Sequence, residues 1–346
     1  MKDKIFGGIL GLAVADAVGV PVEFQSRESL RRNPVADMKG YGTYNQPPGT
    51  WSDDTSLTLC LLDSLATGFR YGRGRCSEIM REDYISDRTM ENFLSWLDEG
   101  KYTAHGKVFD VGIATRKALQ RFKNGIPLEC GGTSEMDNGN GSLMRILPLA
   151  FYFHKVPPQS HREFWDIIHE ASALTHAHKR SQIACGLYLS VAESLFDKTN
   201  LKEVIHSGLE KAKKYYENEA EYVDDLKHYK RLFDPEFSKL PEEEIKSSGY
   251  VVDTLEAALW CLMNTDNYRD CILRAVNLGE DTDTVAAVAG GLAGMFYGVD
   301  AIPKEWLSQL ARRDFIEKLC DLFHYSAEEQ KMIEGLDIYI DPIERI

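Results

Sequence analysis

Two short acidic clusters lie far apart in the chain, and each stands directly before a run with helical spacing. The first is residues 51–55, Trp-Ser-Asp-Asp-Thr, and the second is residues 279–284, Gly-Glu-Asp-Thr-Asp-Thr. Carboxylate and hydroxyl oxygens gathered where helices begin can converge on a hard cation. If the two helix starts meet in space, they offer one site six side chains: Ser52, Asp53, Asp54, Asp281, Asp283 and Thr284.

The first cluster alone has a simpler explanation, which is helix capping. Ser52 is a natural N-cap, and Asp53 and Asp54 would occupy the first helical turn, where the helix dipole favours negative charge. The second cluster exceeds that need, because a cap requires one acceptor and this cluster supplies two carboxylates and a hydroxyl. Two such clusters in contact would repel each other severely without a cation. Proximity and metal binding are therefore predicted together.

The donor atoms indicate which metal would bind. Oxygen ligands favour Mg²⁺, Mn²⁺ or Ca²⁺ over Zn²⁺, which prefers His and Cys. Neither cluster contains His or Cys. With four carboxylates available, the sequence predicts a centre of two ions about 4 Å apart.

A third motif is the glycine-rich string at residues 137–145, which precedes an apolar segment at 146–153. Its free backbone amides could cradle a diphosphate. Taken alone, the same string is also typical of an ordinary turn. The candidate contacts are Asn138, Gly139, Asn140, Gly141 and Ser142.

Two histidines stand two residues apart in the string Thr175-His176-Ala177-His178. Side chains at that spacing cannot share one helix face, so the pair is poorly placed to chelate one ion. We interpret His178 as structural and keep His176 as a candidate substrate contact.

Composition limits the class of protein. With 346 residues, 43% apolar and 27% charged, the chain can form one large domain or two closely joined ones. A net charge of −14 makes broad attraction to nucleic acid or an anionic membrane unfavourable, so a phosphate ligand must be met locally. Seven cysteines without a Cys-x-x-Cys pair favour a reduced cytoplasmic setting.

The periodicity favours an all-α fold. Gly residues in the apolar runs near both ends, such as Gly11 and Gly290, predict helices whose backbones approach closely. The N-terminal run at residues 5–15 resembles a secretory signal, but it is glycine-rich and continues into residues 16–23, so we expect it to be part of the fold. Helical spacing covers residues 53–67, 89–98, 110–123, 162–174, 178–196, 201–217, 253–264, 268–277, 284–297 and 304–324.

Taken in this order, the motifs resemble the ADP-ribosylglycohydrolase family over most of the chain. The strings that carry the resemblance are residues 11–24, 51–55, 109–112, 138–145, 175–176, 248–254 and 277–284. The resemblance implies one compact all-α domain, an orthogonal helical bundle over residues 1–346. It also implies two Mg²⁺ or Mn²⁺ ions held by the six side chains of the acidic clusters.

The resemblance further implies the reaction, which is hydrolysis of the bond between ADP-ribose and an acceptor. The acceptor expected is arginine on a protein, so that mono-ADP-ribosylation is reversed. Cleavage at the ribose carbon develops oxocarbenium character and needs a carboxylate to activate water or move a proton. Glu23 and Asp110 match the positions for this role, with Glu23 ranked first, and the alternative for each is a helix-end salt bridge.

Substrate contacts implied by the resemblance are the loop at residues 138–142 for the diphosphate, with His176 beside it. Tyr250 would lie near the adenine or the cleft entrance, although an aromatic there could equally be core packing. The sequence departs from the family pattern at Ala15, at Ser52 and at Ile113-Ala114. The last change alters the substrate side of the cleft and affects the expected acceptor.

The same motifs are compatible with other functions. The enzyme could act on serine-linked or other ADP-ribosyl compounds, or cleave a nucleotide diphosphate bond with Mg²⁺. A non-catalytic regulator that binds ADP-ribose is a further alternative, which loss of metal ligands would mark, and all six ligands are present. The partners expected are an ADP-ribosylated protein or small ADP-ribosyl substrate, with no nucleic acid or membrane, for a monomeric protein.

Overall fold

The chain folds into helices joined by loops and short 3-10 turns. The computed structural model describes residues 1–71, 78–126, 130–158, 160–196 and 200–334. Within these ranges the only β-type pairings are isolated bridges, and no strand is formed. The all-α prediction is therefore confirmed. Cys76 lies outside the described residues, and the other six cysteines are free thiols buried in the protein.

Every segment with predicted helical spacing contains a helix. The α-helices, numbered in chain order, are α1 (Lys2–Gly19), α2 (Arg27–Arg32), α3 (Asp53–Tyr71), α4 (Glu78–Glu99), α5 (Ile113–Lys123), α6 (Pro148–Lys155), α7 (His161–Ala173), α8 (Lys179–Ser194), α9 (Leu201–Tyr216), α10 (Val223–Leu226), α11 (Val251–Met263), α12 (Tyr268–Asn277), α13 (Thr282–Tyr297), α14 (Lys304–Gln309) and α15 (Arg313–Glu334).

Helices α1 and α13 form the centre of the core and pack along each other's length. Glycine makes this approach possible, because a Cβ atom on Gly11 would lie 2.5 Å from the carbonyl oxygen of Gly290. Gly19, at the end of α1, lies against the backbone of Asp283 in the same way. The expected close backbone contact is confirmed, and it brings the end of α1 to the start of α13.

Helix α1 is also the one described helix that is long and apolar enough to cross a membrane by length and composition. Its apolar window is 89% buried inside the protein. The N-terminal run is thus a central core helix in this structure.

Several predicted helix boundaries are wrong: α4 starts at Glu78 and not at 89, and α15 ends at Glu334 and not at 324. The segment 304–324 is broken between α14 and α15, where Arg312 adopts a left-handed φ of 44° and Ala311 N–H donates to Gly49 O at 2.9 Å. The helix predicted from Asp110 starts at Ile113 instead, because Asp110 is left-handed, with a φ of 50°. Both breaks result from tertiary contacts or strained backbone that apolar spacing does not show.

Helices α7, α8, α9 and α11 form a second packed group. Helix α8 packs between α7 and α9, and α11 contacts both α8 and α13. His169 on α7 is buried there, with its Nε2 3.0 Å from the Tyr216 hydroxyl and its Nδ1 2.9 Å from the Tyr222 hydroxyl. These hydrogen-bonded side chains support α8, which starts next to the glycine-rich loop at residues 137–145.

Candidate metal centre

The start of α3 is held by an aspartate from α1. The buried Asp16 carboxylate accepts the Ser52 N–H at 2.9 Å and the Thr55 N–H at 3.1 Å, and the Thr55 hydroxyl donates to it at 2.6 Å. The predicted cap, Ser52 Oγ, accepts only a long bond of 3.4 Å from Asp54 N–H. Because Asp16 satisfies the helix start, the carboxylates of Asp53 and Asp54 are left for another purpose.

The two acidic clusters meet at Asp54. Its Oδ2 accepts a hydrogen bond from the Ser52 hydroxyl at 3.1 Å and another from the Thr284 hydroxyl at 3.3 Å. Thr284 belongs to the first turn of α13, so the bond joins the starts of α3 and α13. The predicted proximity of the clusters is confirmed by this contact.

Glu23 lies against the second cluster. One carboxylate oxygen each from Glu23, Asp281 and Asp283 lies within 4.8 Å of the others, which is a spacing that could hold a metal ion. Like-charged groups gathered at this distance are unstable without a cation. Glu23 therefore joins the centre in space although it precedes the first cluster in sequence.

Several buried carboxylate oxygens at this point accept no hydrogen bond. They are Glu23 Oε2, Asp54 Oδ1, Asp281 Oδ1 and Asp283 Oδ2. A buried ionised oxygen without a partner is costly, and native structures normally satisfy such atoms. Their oxygen chemistry and their convergence fit hard cations such as Mg²⁺ or Mn²⁺.

Backbone geometry fixes Glu23 beside Asp281. Phe24 and Glu280, their chain neighbours, both adopt left-handed backbone, with φ of 65° and 63°. Phe24 N–H donates to Glu280 O at 2.7 Å, and Glu280 N–H donates to Gln25 O at 2.8 Å. Non-glycine residues in this region are strained, and such strain clusters at functional sites.

Burial and mutual repulsion raise the pKa values of the whole cluster. The pKa of Glu23 rises to about 8 through burial and then through the charges of Asp110 and Asp281. Burial, followed by neighbouring carboxylates, also raises the pKa of Asp53, Asp54 and Asp283 well above the ordinary value. A bound cation reverses this effect, because it stabilises the ionised form.

Asp110 reaches the same centre from the segment before α5. Burial and then the charge of Asp281 raise its pKa to about 6, while hydrogen bonds from Tyr44 and Asp53 oppose the rise. Tyr44 also hydrogen-bonds to Glu23. Neither predicted base forms an ion pair with a described residue, so the salt-bridge alternative finds no support in the structure.

The glycine-rich loop contacts the acidic centre through Asn140. Its side-chain N–H₂ donates to Asp281 Oδ2 at 2.8 Å and to the Thr254 hydroxyl at 2.9 Å. The loop is fixed from the other side by Asn140 N–H, which donates to Gly249 O at 3.2 Å, and by Val251 N–H, which donates to Asn138 O at 3.0 Å. Asn140 was predicted to contact substrate. In the structure its side chain donates to Asp281 and so orients this candidate metal ligand.

His176 lies beneath this loop and is 2% exposed. A Cβ atom on Gly141 would lie 2.8 Å from its ring Cε1, while its Nδ1 is 2.9 Å from the Thr175 hydroxyl. Burial and then nearby Arg145 lower its pKa to about 3, so the ring is neutral. The His176 ring packs against the glycine-rich loop at Gly141. The substrate contacts predicted for His176, Gly139 and Ser142 stay predictions.

The predictions for His178 and Tyr250 have different outcomes. His178 is structural as interpreted, because its Nδ1 accepts Arg180 N–H at 3.2 Å and caps α8. Tyr250 is half-buried and pairs with Gly139 through an isolated bridge, with its hydroxyl 3.5 Å from His228 Nδ1. Its role near the adenine or the entrance stays a prediction.

Sequence reasoning missed two site residues. Asp16 could have been found, because it is one acidic side chain inside the apolar α1 run. Tyr44 lies in a long connection without periodicity, and only the fold brings its hydroxyl to Glu23 and Asp110. Ile113, where the sequence departs from the family pattern, is 74% exposed next to this segment, and its effect on the substrate side of the cleft stays a prediction.

The fold and site together define an all-α protein with a buried acidic centre beside a glycine-rich loop. A sequence model of the ADP-ribosylglycohydrolase family matches residues 1–331. The chain belongs to this family, whose members are glycosidic-bond hydrolases.

Individual relatives agree with this assignment. The chain is 34% identical to an ADP-ribosylarginine hydrolase Tri1 of Serratia proteamaculans, over 95% of this chain and 81% of that protein. It is 32% identical to the ADP-ribosyl-[dinitrogen reductase] glycohydrolase of Rhodospirillum rubrum, over 90% and 91%. A solved ADP-ribosylglycohydrolase-related protein complex matches with a TM-score of 0.71 and 31% identity, covering 94% of this chain and 98% of that one.

Proposed function

We propose that this protein is a metal-dependent hydrolase that releases ADP-ribose from ADP-ribosylated arginine on proteins. The observation that carries the metal part is the set of buried, unpartnered carboxylate oxygens where the starts of α3 and α13 meet. The arginine part is supported by the relative from Serratia proteamaculans, which is named for that activity.

In this proposal the ligands are the six side chains of the two acidic clusters, which would hold two Mg²⁺ or Mn²⁺ ions. When bound, the ions would supply Lewis-acid polarisation of the ribose oxygens next to the scissile carbon. Asn140 keeps Asp281 oriented through its 2.8 Å bond and couples the ligand set to the loop. The loop amides at residues 138–142 are the proposed contacts of the diphosphate.

The proton chemistry falls to the carboxylates at the edge of the centre. Hydrolysis breaks the bond from the ribose carbon to the guanidino nitrogen, and water supplies the new C–O bond. The proton of the water passes to a base, and a proton is returned to the departing nitrogen. Glu23 is the first candidate for this base and Asp110 the second, because both lie beside the ligand set and share Tyr44. Glu23 could serve as a further metal ligand, given its distance to Asp281 and Asp283.

One experiment tests this proposal against its rivals. The protein and Mg²⁺ are incubated with arginine-, serine- and cysteine-linked ADP-ribosyl substrates, and released ADP-ribose and AMP are measured. Release of ADP-ribose from the arginine-linked substrate is expected. Release only from another linkage would change the acceptor, AMP would indicate cleavage of the diphosphate, and binding without release would indicate a regulator.

A further inference from the structure

Three aromatic rings lie next to one another beside the acidic centre. The ring centroids of Phe24 and Tyr44 are 6.4 Å apart, and those of Tyr44 and Phe109 are 5.1 Å apart, all at tilted angles. Phe24 is 70% exposed, and the other two rings are partly buried. We call Phe24, Tyr44 and Phe109 the aromatic rim.

The rim is adjacent to both candidate bases. Phe24 follows Glu23 in the chain, and Phe109 precedes Asp110. Tyr44, the middle ring, hydrogen-bonds to both carboxyls. One of these two carboxyls must return a proton to the departing nitrogen, so the leaving group would lie within reach of the rings.

The backbone presents the Phe24 ring to solvent at a conformational cost. Its φ of 65° is unfavourable for a bulky side chain, yet the ring gains little burial in return. The hydrogen bond from Phe24 N–H to Glu280 O maintains this conformation. Strain of this kind, held in place by the surrounding structure, is typical of residues that contact a ligand.

The charge around the rim selects the kind of ligand. The carboxyls next to the rim in the chain are Glu23 and Asp110, and neither belongs to the six side chains proposed to hold the metal ions. Faces of aromatic rings attract cations, most often the planar guanidinium group. A surface that combines aromatic ring faces with carboxylates complements a flat organic cation and disfavours an anionic group.

We propose that the aromatic rim is the leaving-group subsite and binds the guanidinium of the departing arginine by cation–π contact, with Phe24 as a specificity-determining residue. This proposal rests on the proposed function for its substrate. It explains how one surface could favour an arginine linkage over a serine linkage, because serine offers the rim neither a cation nor a planar group.

The first test measures binding without catalysis. Agmatine, which carries a guanidinium, and its neutral urea isostere are titrated by NMR into the Mg²⁺-loaded protein. Phe24→Leu keeps an apolar side chain but removes the aromatic face, so it should weaken agmatine binding by about two- to fivefold and leave the urea isostere unchanged. Equal weakening of both probes, or unchanged agmatine binding, would overturn the proposal.

The matched control is Tyr41→Leu. Tyr41 is also an exposed aromatic residue, at 60%, and is also left-handed, with a φ of 73°. This variant should bind agmatine as the wild type does. If it weakens agmatine binding as much as Phe24→Leu does, the effect is not specific to the rim and the proposal fails.

Kinetics separate this proposal from the proposed function. For Phe24→Leu we expect a two- to fivefold higher KM for the arginine-linked substrate, a larger change than in kcat, and a smaller rise in KM for any serine-linked substrate that is cleaved. Wild-type protein that binds agmatine through Phe24 but releases no ADP-ribose would refute the proposed function alone. Release from the arginine-linked substrate with no Phe24 effect would refute the subsite alone.

Discussion

The Thr284 hydroxyl donates a hydrogen bond to Asp54 Oδ2 across 3.3 Å, although the two residues are 230 positions apart in the chain. This bond joins the first turns of α3 and α13 and closes the acidic centre. Asp54 Oδ1 remains buried without a partner, so the bond positions the carboxylate for a further ligand without satisfying it.

Asp54→Asn should make the metal-free protein more stable and remove its response to Mg²⁺. The substitution removes one charge from a buried cluster of carboxylates, which relieves repulsion. In the wild type, Mg²⁺ at 100 times its Kd should add about 2.7 kcal/mol to the free energy of unfolding. Chemical denaturation with and without Mg²⁺ measures both effects. The exposed Asp300→Asn is the control, and a wild-type Mg²⁺ response in Asp54→Asn would count against the ligand role.

Glu23→Gln should lower turnover by about 10² to 10⁴ while Mg²⁺ stays bound, as removal of a general base does. Single-turnover kinetics, combined with calorimetric titration of Mg²⁺, separates turnover from metal binding. If Glu23→Gln turns over normally while Asp110→Asn is inactive, Asp110 is the base. If Glu23→Gln instead loses Mg²⁺, the glutamate acts as a ligand.

Gly141→Ala should destabilise the protein by about 1–3 kcal/mol, because its new Cβ would push on the buried His176 ring and overpack the loop. Gly139→Ala is the matched control, since its Cβ would meet His176 Nε2 at 3.5 Å, an ordinary contact. Urea denaturation compares the two variants. Equal stability for both would show that His176 does not support the loop as described.

The contribution of buried His169 to the free energy of unfolding should fall as pH decreases below 6.5, while the raised pKa values of the acidic centre act in the opposite direction. Burial and then nearby Lys179 lower the pKa of His169 to about 3, against about 6.5 in the unfolded chain. Between these values the ring binds a proton in the unfolded state but not in the native state, so the contribution of His169 is full above pH 6.5 and is lost towards pH 3. His169 alone contributes a slope of at most about 1.4 kcal/mol per pH unit.

Relative to the wild type, His169→Gln should therefore lower the slope of the unfolding free energy against pH by up to about 1.4 kcal/mol per pH unit. The variant also loses the bonds to Tyr216 and Tyr222, so it should be less stable at pH 8. Urea denaturation at pH 5.0, 5.5, 6.0 and 6.5 measures the slope, with the exposed His206→Gln as control. An unchanged slope in His169→Gln would mean that the ring is already charged in the native protein.

The meeting of the two acidic clusters could be predicted from short segments of sequence. They hold more carboxylates than helix capping needs, and a shared bound cation explains the excess. The all-α fold and the glycine contact of α1 with α13 were predictable for a similar reason, since periodicity and small residues report packing directly. The Asp16 cap on α3, the break near Arg312 and the link of Phe24 to Glu280 were not predicted. Each depends on contacts between distant segments, and apolar spacing carries no record of them.

The most direct test of the account is Mg²⁺-dependent release of ADP-ribose from an arginine-linked substrate by wild type and by Asp283→Ala, with Asp300→Ala as control. Asp283 is 1% exposed and its Oδ2 has no hydrogen-bond partner, so its removal should abolish release while the thermal midpoint shows an intact fold. The account predicts release by wild type and Asp300→Ala only when Mg²⁺ is present. Equal release by Asp283→Ala, or release by wild type in excess chelator, would contradict it.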